Sequence, residues 1–149
     1  MNSEKILARF GSYAVRVLYQ DDHYRLANLC SHHDGVDVCR TLAVTHFSTP
    51  TPAPLSDADK LIRRGHSIGS TLKDAGLALS RNMLVEGLTV CGDGFAKLAG
   101  EKALAGCELV VRLYQLRAGP AESALQVYAT IAEAHHPRHV AGHDDMLTL

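Results

Sequence analysis

An Asp-Gly pair between two strand-like segments constrains the fold of this chain more than any other feature of its sequence. Asp34 and Gly35 lie between residues 23–32 and residues 38–47, two segments rich in strand-compatible residues. Asp-Gly is a preferred sequence for the tight turn that joins two antiparallel strands. The second segment, VCRTLAVTHF, is therefore predicted to return along the first and to form an antiparallel hairpin with it.

Alternation of apolar and polar residues predicts that a further strand precedes this hairpin. In YAVRVLYQ, residues 13–20, the apolar side chains of Tyr13, Val15, Val17 and Tyr19 occupy every second position. A period of two is typical of a strand with one buried face. We therefore predict that the first third of the chain is a three-stranded antiparallel meander.

The rest of the chain contains a helical stretch and then more strands. A connector with three prolines leads into residues 56–76, which have helical character, and three strand-like segments follow at residues 77–87, 107–119 and 124–134. Three strands, a helical stretch and about three more strands predict an α+β fold, an antiparallel sheet of about six strands with helices on one face.

Composition narrows the classes of function. The chain has 149 residues, which suits one domain over residues 1–149, and its formal net charge is −1. This charge predicts no field that would collect nucleic acid or an anionic membrane. The N-terminal segment lacks the apolar core of a signal peptide, so we expect a cytoplasmic protein whose four cysteines are free thiols.

Two opposite charges interrupt otherwise apolar strands. Arg40 lies within VCRTLAV, and Glu133 shares a face with Val127, Ala129 and Ile131 by period two. A buried guanidinium requires an anion, because it stays protonated in proteins. An internal Arg40–Glu133 ion pair, or exposure of both charges to solvent, would satisfy this requirement without any ligand.

Two further arginines favour a bound ligand as the explanation for charges inside apolar strands. Arg81 in LSRNMLVEG and Arg112 in ELVVRLYQL also interrupt apolar segments. Several arginines near one glutamate would leave a surplus of positive charge. A small anion with its own carboxylates, held by bidentate hydrogen bonds, would balance that surplus.

The order of these motifs resembles the chorismate lyase family from residue 24 to residue 137. The family has an Arg-Thr pair on a strand after an acidic-glycine turn, similar to DGVDVCRTLAV, and a glycine-rich element after a helix, similar to IRRGHSIGSTL. Its Thr-Arg strand ending in glycine is similar to SRNMLVEG. Its later arginine strand, glycine turn and glutamate four residues before a proline are similar to VVRLYQLRAG and TIAEAHHP.

This resemblance implies a fold, a reaction and a set of site residues. The fold is a six-stranded antiparallel sheet with helices on one side, and the reaction converts chorismate to 4-hydroxybenzoate and pyruvate as an early step towards ubiquinone. Because aromatisation drives the reaction, no cofactor is expected. By resemblance, Arg40 holds a carboxylate and Glu133 meets the hydroxyl end of the substrate, whereas the other predicted substrate-binding residues are Arg81, Arg112, Ile68 and Gly69.

Two other functions stay open from the sequence. The same architecture occurs in effector-sensing domains that bind a carboxylate without transforming it, so a non-catalytic aromatic carboxylate-binding module is the alternative. Histidines 135, 139 and 143 are spaced by four residues, which suits metal ligands on a helix. Because Pro137 and Gly142 disfavour a helix there, we expect a loose, solvated tail and no metal. The expected partner is a small carboxylate, and oligomeric state is not predicted.

Overall fold

A computed structural model describes residues 2–140 and shows an antiparallel sheet of six strands with four helices. The predicted α+β fold is thus confirmed. The connections also contain three short 3₁₀ turns, Ala53–Leu55, Lys102–Leu104 and Glu122–Ala124. The helices and strands in chain order are α1 Asn2–Phe10, β1 Ala14–Gln20, β2 Tyr24–His33, β3 Val36–Phe47, α2 Ser56–Arg63, α3 Ile68–Asp74, β4 Ala78–Val90, α4 Asp93–Ala99, β5 Glu108–Gly119 and β6 Gln126–His135.

The strands lie in the order β1-β2-β3-β6-β5-β4, and every neighbouring pair is antiparallel. The predicted Asp-Gly turn joins β2 to β3. Asp34 has a φ of 49° and Gly35 a φ of 80°. Positive φ values at both central residues are what a two-residue hairpin of this twist requires, and Asp and Gly tolerate them best.

The larger core lies between one face of the sheet and helices α2 and α3. Phe47 and Tyr128 pack edge to face, with ring centroids 5.9 Å apart, and Leu55, Ile62 and Leu72 are fully buried against them. Burying an aliphatic side chain of this size contributes about 1.5–3 kcal/mol each. This packing fixes the loop between α2 and α3 above the sheet.

The opposite face carries a second cluster that the sequence analysis did not predict. Phe95, Ala96 and Ala99 of α4 pack against Cys39 and Leu109 of the sheet. Leu42 and Ala134, which also contact this cluster, are partners in the register of β3 and β6. Helix α4 therefore adds a small cover to the face that α1, α2 and α3 leave free.

The C-terminal histidines are buried, which contradicts the prediction of a loose, solvated tail up to residue 140. His135, His136 and His139 are each at most 3% exposed. Strand β6 continues to His135, and the backbone N–H of His136 donates to the carbonyl of Arg40 at 2.8 Å. Pairing with β3 thus orders this segment, whereas His143 lies outside the described residues.

The cysteines agree with the expectation of free thiols. The four cysteines are free thiols, and only Cys107 is exposed. Between residues 2 and 140, none of the helices combines the length and the apolar character that crossing a membrane demands.

Candidate functional site

A cavity of about 260 Å³ lies between the sheet and the helices on its larger covered face. Its floor consists of side chains at alternate positions of the strands, because residues two apart share a face. Its roof comes from the first turn of α1, from Tyr13, and from residues 67–69 at the start of α3. The lining residues are Asn2, Ser3, Tyr13, Val15, Arg25, Ala27, Leu29, Ala43, Thr45, Ser67, Ile68, Gly69, Leu79, Ser80, Arg81, Tyr114, Leu116, Ile131 and Glu133.

Glu133 provides the carboxylate of the cavity. It is 5% exposed, it accepts a hydrogen bond of 2.7 Å from the Tyr114 hydroxyl, and its Oε2 lies 3.3 Å from Nε2 of His135. Burial alone would raise the pKa of Glu133, but His135, Tyr114 and the charge of Arg81 outweigh it and lower the pKa to about 2. The side chain is therefore an ionised acceptor at neutral pH.

Arg25 provides a buried cation that the sequence analysis missed. Its guanidinium donates to three backbone carbonyls at 2.8–3.3 Å, that of Ile62 near the end of α2 and those of Gly65 and His66 in the connection to α3. The side chain is only 1% exposed, and its Nε has no hydrogen-bond partner among residues 2–140.

Within residues 2–140, no carboxylate forms an ion pair with Arg25. The ionisable groups that favour its charged form are the phenols of Tyr13 and Tyr128, whereas burial lowers its pKa. Its bonds to the end of α2 also hold the loop that roofs the cavity, which is a structural role. A buried cation beside a cavity, compensated only by carbonyl dipoles, nevertheless favours an anionic ligand there.

Arg81 adds a second cation at the exposed side of the cavity. It is an exposed residue of β4, and its guanidinium carbon lies 4.9 Å from the centroid of the Tyr114 ring. Lys5 of α1 lies near the same positive charges. Burial lowers the pKa of Lys5, and the charges of Arg112, Arg81 and Arg9 lower it further. The surroundings of Glu133 are thus rich in cations.

The structure places four of the predicted site residues on the cavity and two outside it. Glu133, Arg81, Ile68 and Gly69 all line it, with Ile68 and Gly69 in the first turn of α3. Oγ of Ser67, which precedes them, lies 3.3 Å from the hydroxyl of Tyr13. This hydrogen bond connects two parts of the roof, Tyr13 and the start of α3.

Arg40 is absent from the cavity lining, so the expectation that Arg40 and Glu133 converge on one cavity is wrong. Its Nε donates to Ser31 Oγ at 2.9 Å, and its guanidinium stacks 3.7 Å from the centroid of the Phe10 ring. The physical reason is its place along β3. Glu133 pairs with Ala43, three residues from Arg40, so about 10 Å of strand separates Arg40 from Glu133. Arg40 is also the extra residue of a β-bulge, since Leu29 pairs with Thr41 and Cys30 with Cys39.

Arg112 lies close to Glu133 but outside the cavity lining. In the register of the sheet it stands between Glu133 of β6 and Glu86 of β4. Direct cross-strand partners share a face, so both carboxylates act on this arginine. Arg112 therefore has protein anions on either side, unlike Arg25.

The described residues offer no metal site. Residues 2–140 contain no group of three or more histidine, cysteine, aspartate or glutamate side chains arranged to hold an ion. His135 and His139 are neighbours, with ring centroids 5.4 Å apart, but each already faces a side chain of the protein.

Several residues of the site were missed, and only some had a signal in the sequence. Arg25 alternates with Ala27 and Leu29 in HYRLANLC, which is the same signal that drew attention to Arg40. Tyr114 alternates with Arg112 and Leu116 in the same way. By contrast, nothing local in the sequence indicates that Tyr13 and Ser67 meet.

Comparison with known proteins adds no assignment, since neither a protein-family model nor a curated protein significantly matches the sequence.

Proposed function

We propose that this chain binds a small aromatic acid with a hydroxyl group at the end opposite its carboxylate. One observation carries the proposal: the ionised Glu133 and the buried Arg25 border the same cavity without contacting each other. Strand β3 separates their strands, so the backbones lie about 10 Å apart across the sheet. A ligand hydroxyl would donate to Glu133, and its carboxylate would accept from Arg25.

The cavity floor between these two groups suits a flat ring. Ala27, Ala43 and Ile131 lie there, and the two alanines leave space above the sheet. Apolar walls with a few convergent polar groups are typical of small-molecule sites. 4-Hydroxybenzoate has this pattern of groups, and it is the product expected from the chorismate lyase resemblance.

Lysis of chorismate is the reaction that we propose for the site. The bond between the ring and the enolpyruvyl oxygen breaks, the ring loses one hydrogen and becomes aromatic, and that hydrogen ends on the methyl group of pyruvate. The products together contain all atoms of chorismate. Arg25 and Arg81 would hold the two carboxylates, and Glu133 would accept the hydrogen bond of the ring hydroxyl.

Non-catalytic binding of an aromatic carboxylate is the second candidate, and the position of Arg40 favours it. The residue expected to clamp the substrate by resemblance instead contacts Ser31 and Phe10. Both candidates keep the predicted partner, a small carboxylate with neither nucleic acid nor membrane involved, and the predicted cytoplasmic location.

Incubation with chorismate separates the two candidates. Release of 4-hydroxybenzoate and pyruvate in equal amounts, followed by ultraviolet absorbance, is expected for the lyase. Calorimetric binding of 4-hydroxybenzoate without release would identify the binding module. A protein that does neither would disprove the proposed function.

A matched pair of variants tests the role of Arg25. We expect Arg25→Gln to weaken binding of 4-hydroxybenzoate at least tenfold, since a charge-assisted hydrogen bond is worth about 1.5–3 kcal/mol. Arg40→Gln, in an equally buried arginine outside the lining, should change the affinity less than twofold. Binding of the neutral 4-hydroxybenzamide is the control for collapse of the roof, because this ligand has no carboxylate. If Arg25→Gln weakened binding of the amide as much as binding of the acid, Arg25 would have no specific role in carboxylate recognition.

A further inference from the structure

A line of buried polar side chains leads from the end of the described chain to Glu133. His139 Nε2 contacts Asn2 Oδ1, and Asn2 Nδ2 donates to Thr41 Oγ1 at 3.0 Å. Thr41 Oγ1 lies 2.8 Å from His135 Nδ1, and His135 Nε2 lies 3.3 Å from Glu133 Oε2. All five residues are at most 7% exposed, so water does not compete for these contacts.

Elementary donor and acceptor rules give this line a direction. An amide oxygen only accepts, so His139 Nε2 must carry a proton towards Asn2. The amide nitrogen of Asn2 then donates to Thr41, whose own hydroxyl proton is left for His135 Nδ1. A neutral His135 that accepts at Nδ1 carries its ring proton on Nε2, the atom that faces Glu133.

The opposite direction is unfavourable at both ends. If Thr41 accepted from His135 Nδ1, a neutral ring would point the lone pair of Nε2 at the carboxylate of Glu133. At the other end, His139 Nδ1 is buried and has no hydrogen-bond partner among residues 2–140. Burial, more than any other cause, lowers the pKa of His139 to about 3, which suits a neutral ring with a bare Nδ1.

We propose that His135 is a positioning residue for Glu133, and that His139, Asn2 and Thr41 set its tautomer. Its Nε2 lies at an ion-pair distance of 3.3 Å from Oε2, without the geometry of a hydrogen bond, while the Tyr114 hydroxyl donates to Oε1. Each carboxylate oxygen therefore has one polar neighbour. The remaining acceptor positions of the carboxylate are then available to the cavity. This inference rests on the proposed function, because the group received there is the hydroxyl of the ligand.

The tautomer can be measured without any ligand. Nitrogen-15 spectra of the histidine rings at pH 8, where free imidazole is neutral, should show His135 with a protonated Nε2 and a bare Nδ1. Comparison with His135→Gln assigns its signals. In Thr41→Val this preference should weaken, because Nδ1 loses its donor. A proton on Nδ1 of His135 in the unaltered protein would overturn the proposed direction.

Paired ligands then test positioning. We expect Thr41→Val to weaken binding of 4-hydroxybenzoate three- to tenfold and to change binding of benzoate, which lacks the hydroxyl, less than twofold. Thr41→Ser keeps the hydroxyl, so it should restore the ratio of the affinities for 4-hydroxybenzoate and benzoate to that of the unaltered protein. His136→Asn is the control, since His136 is equally buried but bonds to Glu101 and not to Glu133.

Each remaining outcome decides one question. Equal weakening of both ligands in Thr41→Val, or a similar selective loss in His136→Asn, would overturn positioning by His135. If the unaltered protein binds neither ligand, the proposed function fails, and the nitrogen-15 tautomer still decides whether the hydrogen bonds run from His139 to His135.

Discussion

Glu133 is ionised although it is buried, because specific neighbours outweigh the penalty of burial. Tyr114 donates to one carboxylate oxygen, His135 lies beside the other, and Arg81 adds its charge. A carboxylate held in this way is an acceptor ready for a hydroxyl donor, and it does not need to change its orientation when a ligand arrives. This arrangement gives the cavity a polarity that its mainly apolar floor would not have.

Replacing Glu133 by glutamine should therefore affect turnover more than affinity. The amide keeps the shape of the side chain, so we expect 4-hydroxybenzoate to bind about tenfold more weakly, the loss of one charge-assisted hydrogen bond. If the chain is a lyase, kcat for chorismate should fall further than that.

Glu86→Gln is the matched control for this variant. Glu86 is the other carboxylate beside Arg112 in the register, but it is exposed and outside the cavity lining. Calorimetry and steady-state kinetics on both variants would decide. Equal losses of affinity and turnover in Glu133→Gln would indicate a structural glutamate.

At the scale of the elements, position along a strand and β-bulges together decide which side chains reach the cavity. A bulge leaves Arg40 unpaired in β3, and another between Val17 and Tyr19 ends the regular alternation of β1, so Tyr19 is exposed. The alternation of apolar and polar residues predicted the strands well, because this alternation is a local property of the sequence. It assigned the wrong face to Tyr19, since the residue inserted before it reverses the later positions of β1.

The end of β5 offers a sharp test of packing between elements. A Cβ on Gly119 would lie 2.0 Å from the carbonyl oxygen of Ala124, in the 3₁₀ turn that follows. Because the carbonyl oxygen belongs to the backbone and the position of the Cβ is fixed by the backbone of residue 119, neither can move aside cheaply. We expect Gly119→Ala to lower the free energy of unfolding by about 2–3 kcal/mol.

Gly87 provides the comparison within β4. A Cβ there would meet no atom within 4 Å, so Gly87→Ala should be neutral or stabilise by up to about 1 kcal/mol. Urea unfolding of both variants measures the difference. Similar stabilities for the two would show that the turn after Gly119 moves easily.

For the whole molecule, the sheet could be predicted from the sequence, but the closure of the cavity could not. The Asp-Gly turn and the alternating strands were enough for the antiparallel α+β fold. Helices α1 and α4 are nine and seven residues long and were missed, because short helices are marginal without tertiary packing. Yet α1 contributes Asn2 and Ser3 to the roof, so the site depends on contacts that no local pattern contains.

Burial of histidines should make the stability of the whole molecule depend on pH. Burial lowers the pKa of both His136 and His139, in the latter to about 3. Below about pH 6.5 these histidines bind protons in the unfolded chain but stay neutral in the folded chain. The stability that they contribute above that pH is therefore lost as the pH falls towards 3. Glu133, with its pKa lowered to about 2, adds a loss only below about pH 4.5.

We therefore expect the free energy of unfolding to fall by about 1 kcal/mol through His139 between pH 7 and pH 5, after allowance for screening by solvent. His139→Gln keeps a donor for Asn2 but cannot titrate, so its stability should fall less over this interval. Urea unfolding at pH 8, 7, 6 and 5 measures both proteins. The interval from pH 8 to 7 is the control, because neutral histidines dominate there in both states. Parallel curves from pH 7 to 5 would show that His139 stays accessible to protons in the folded chain.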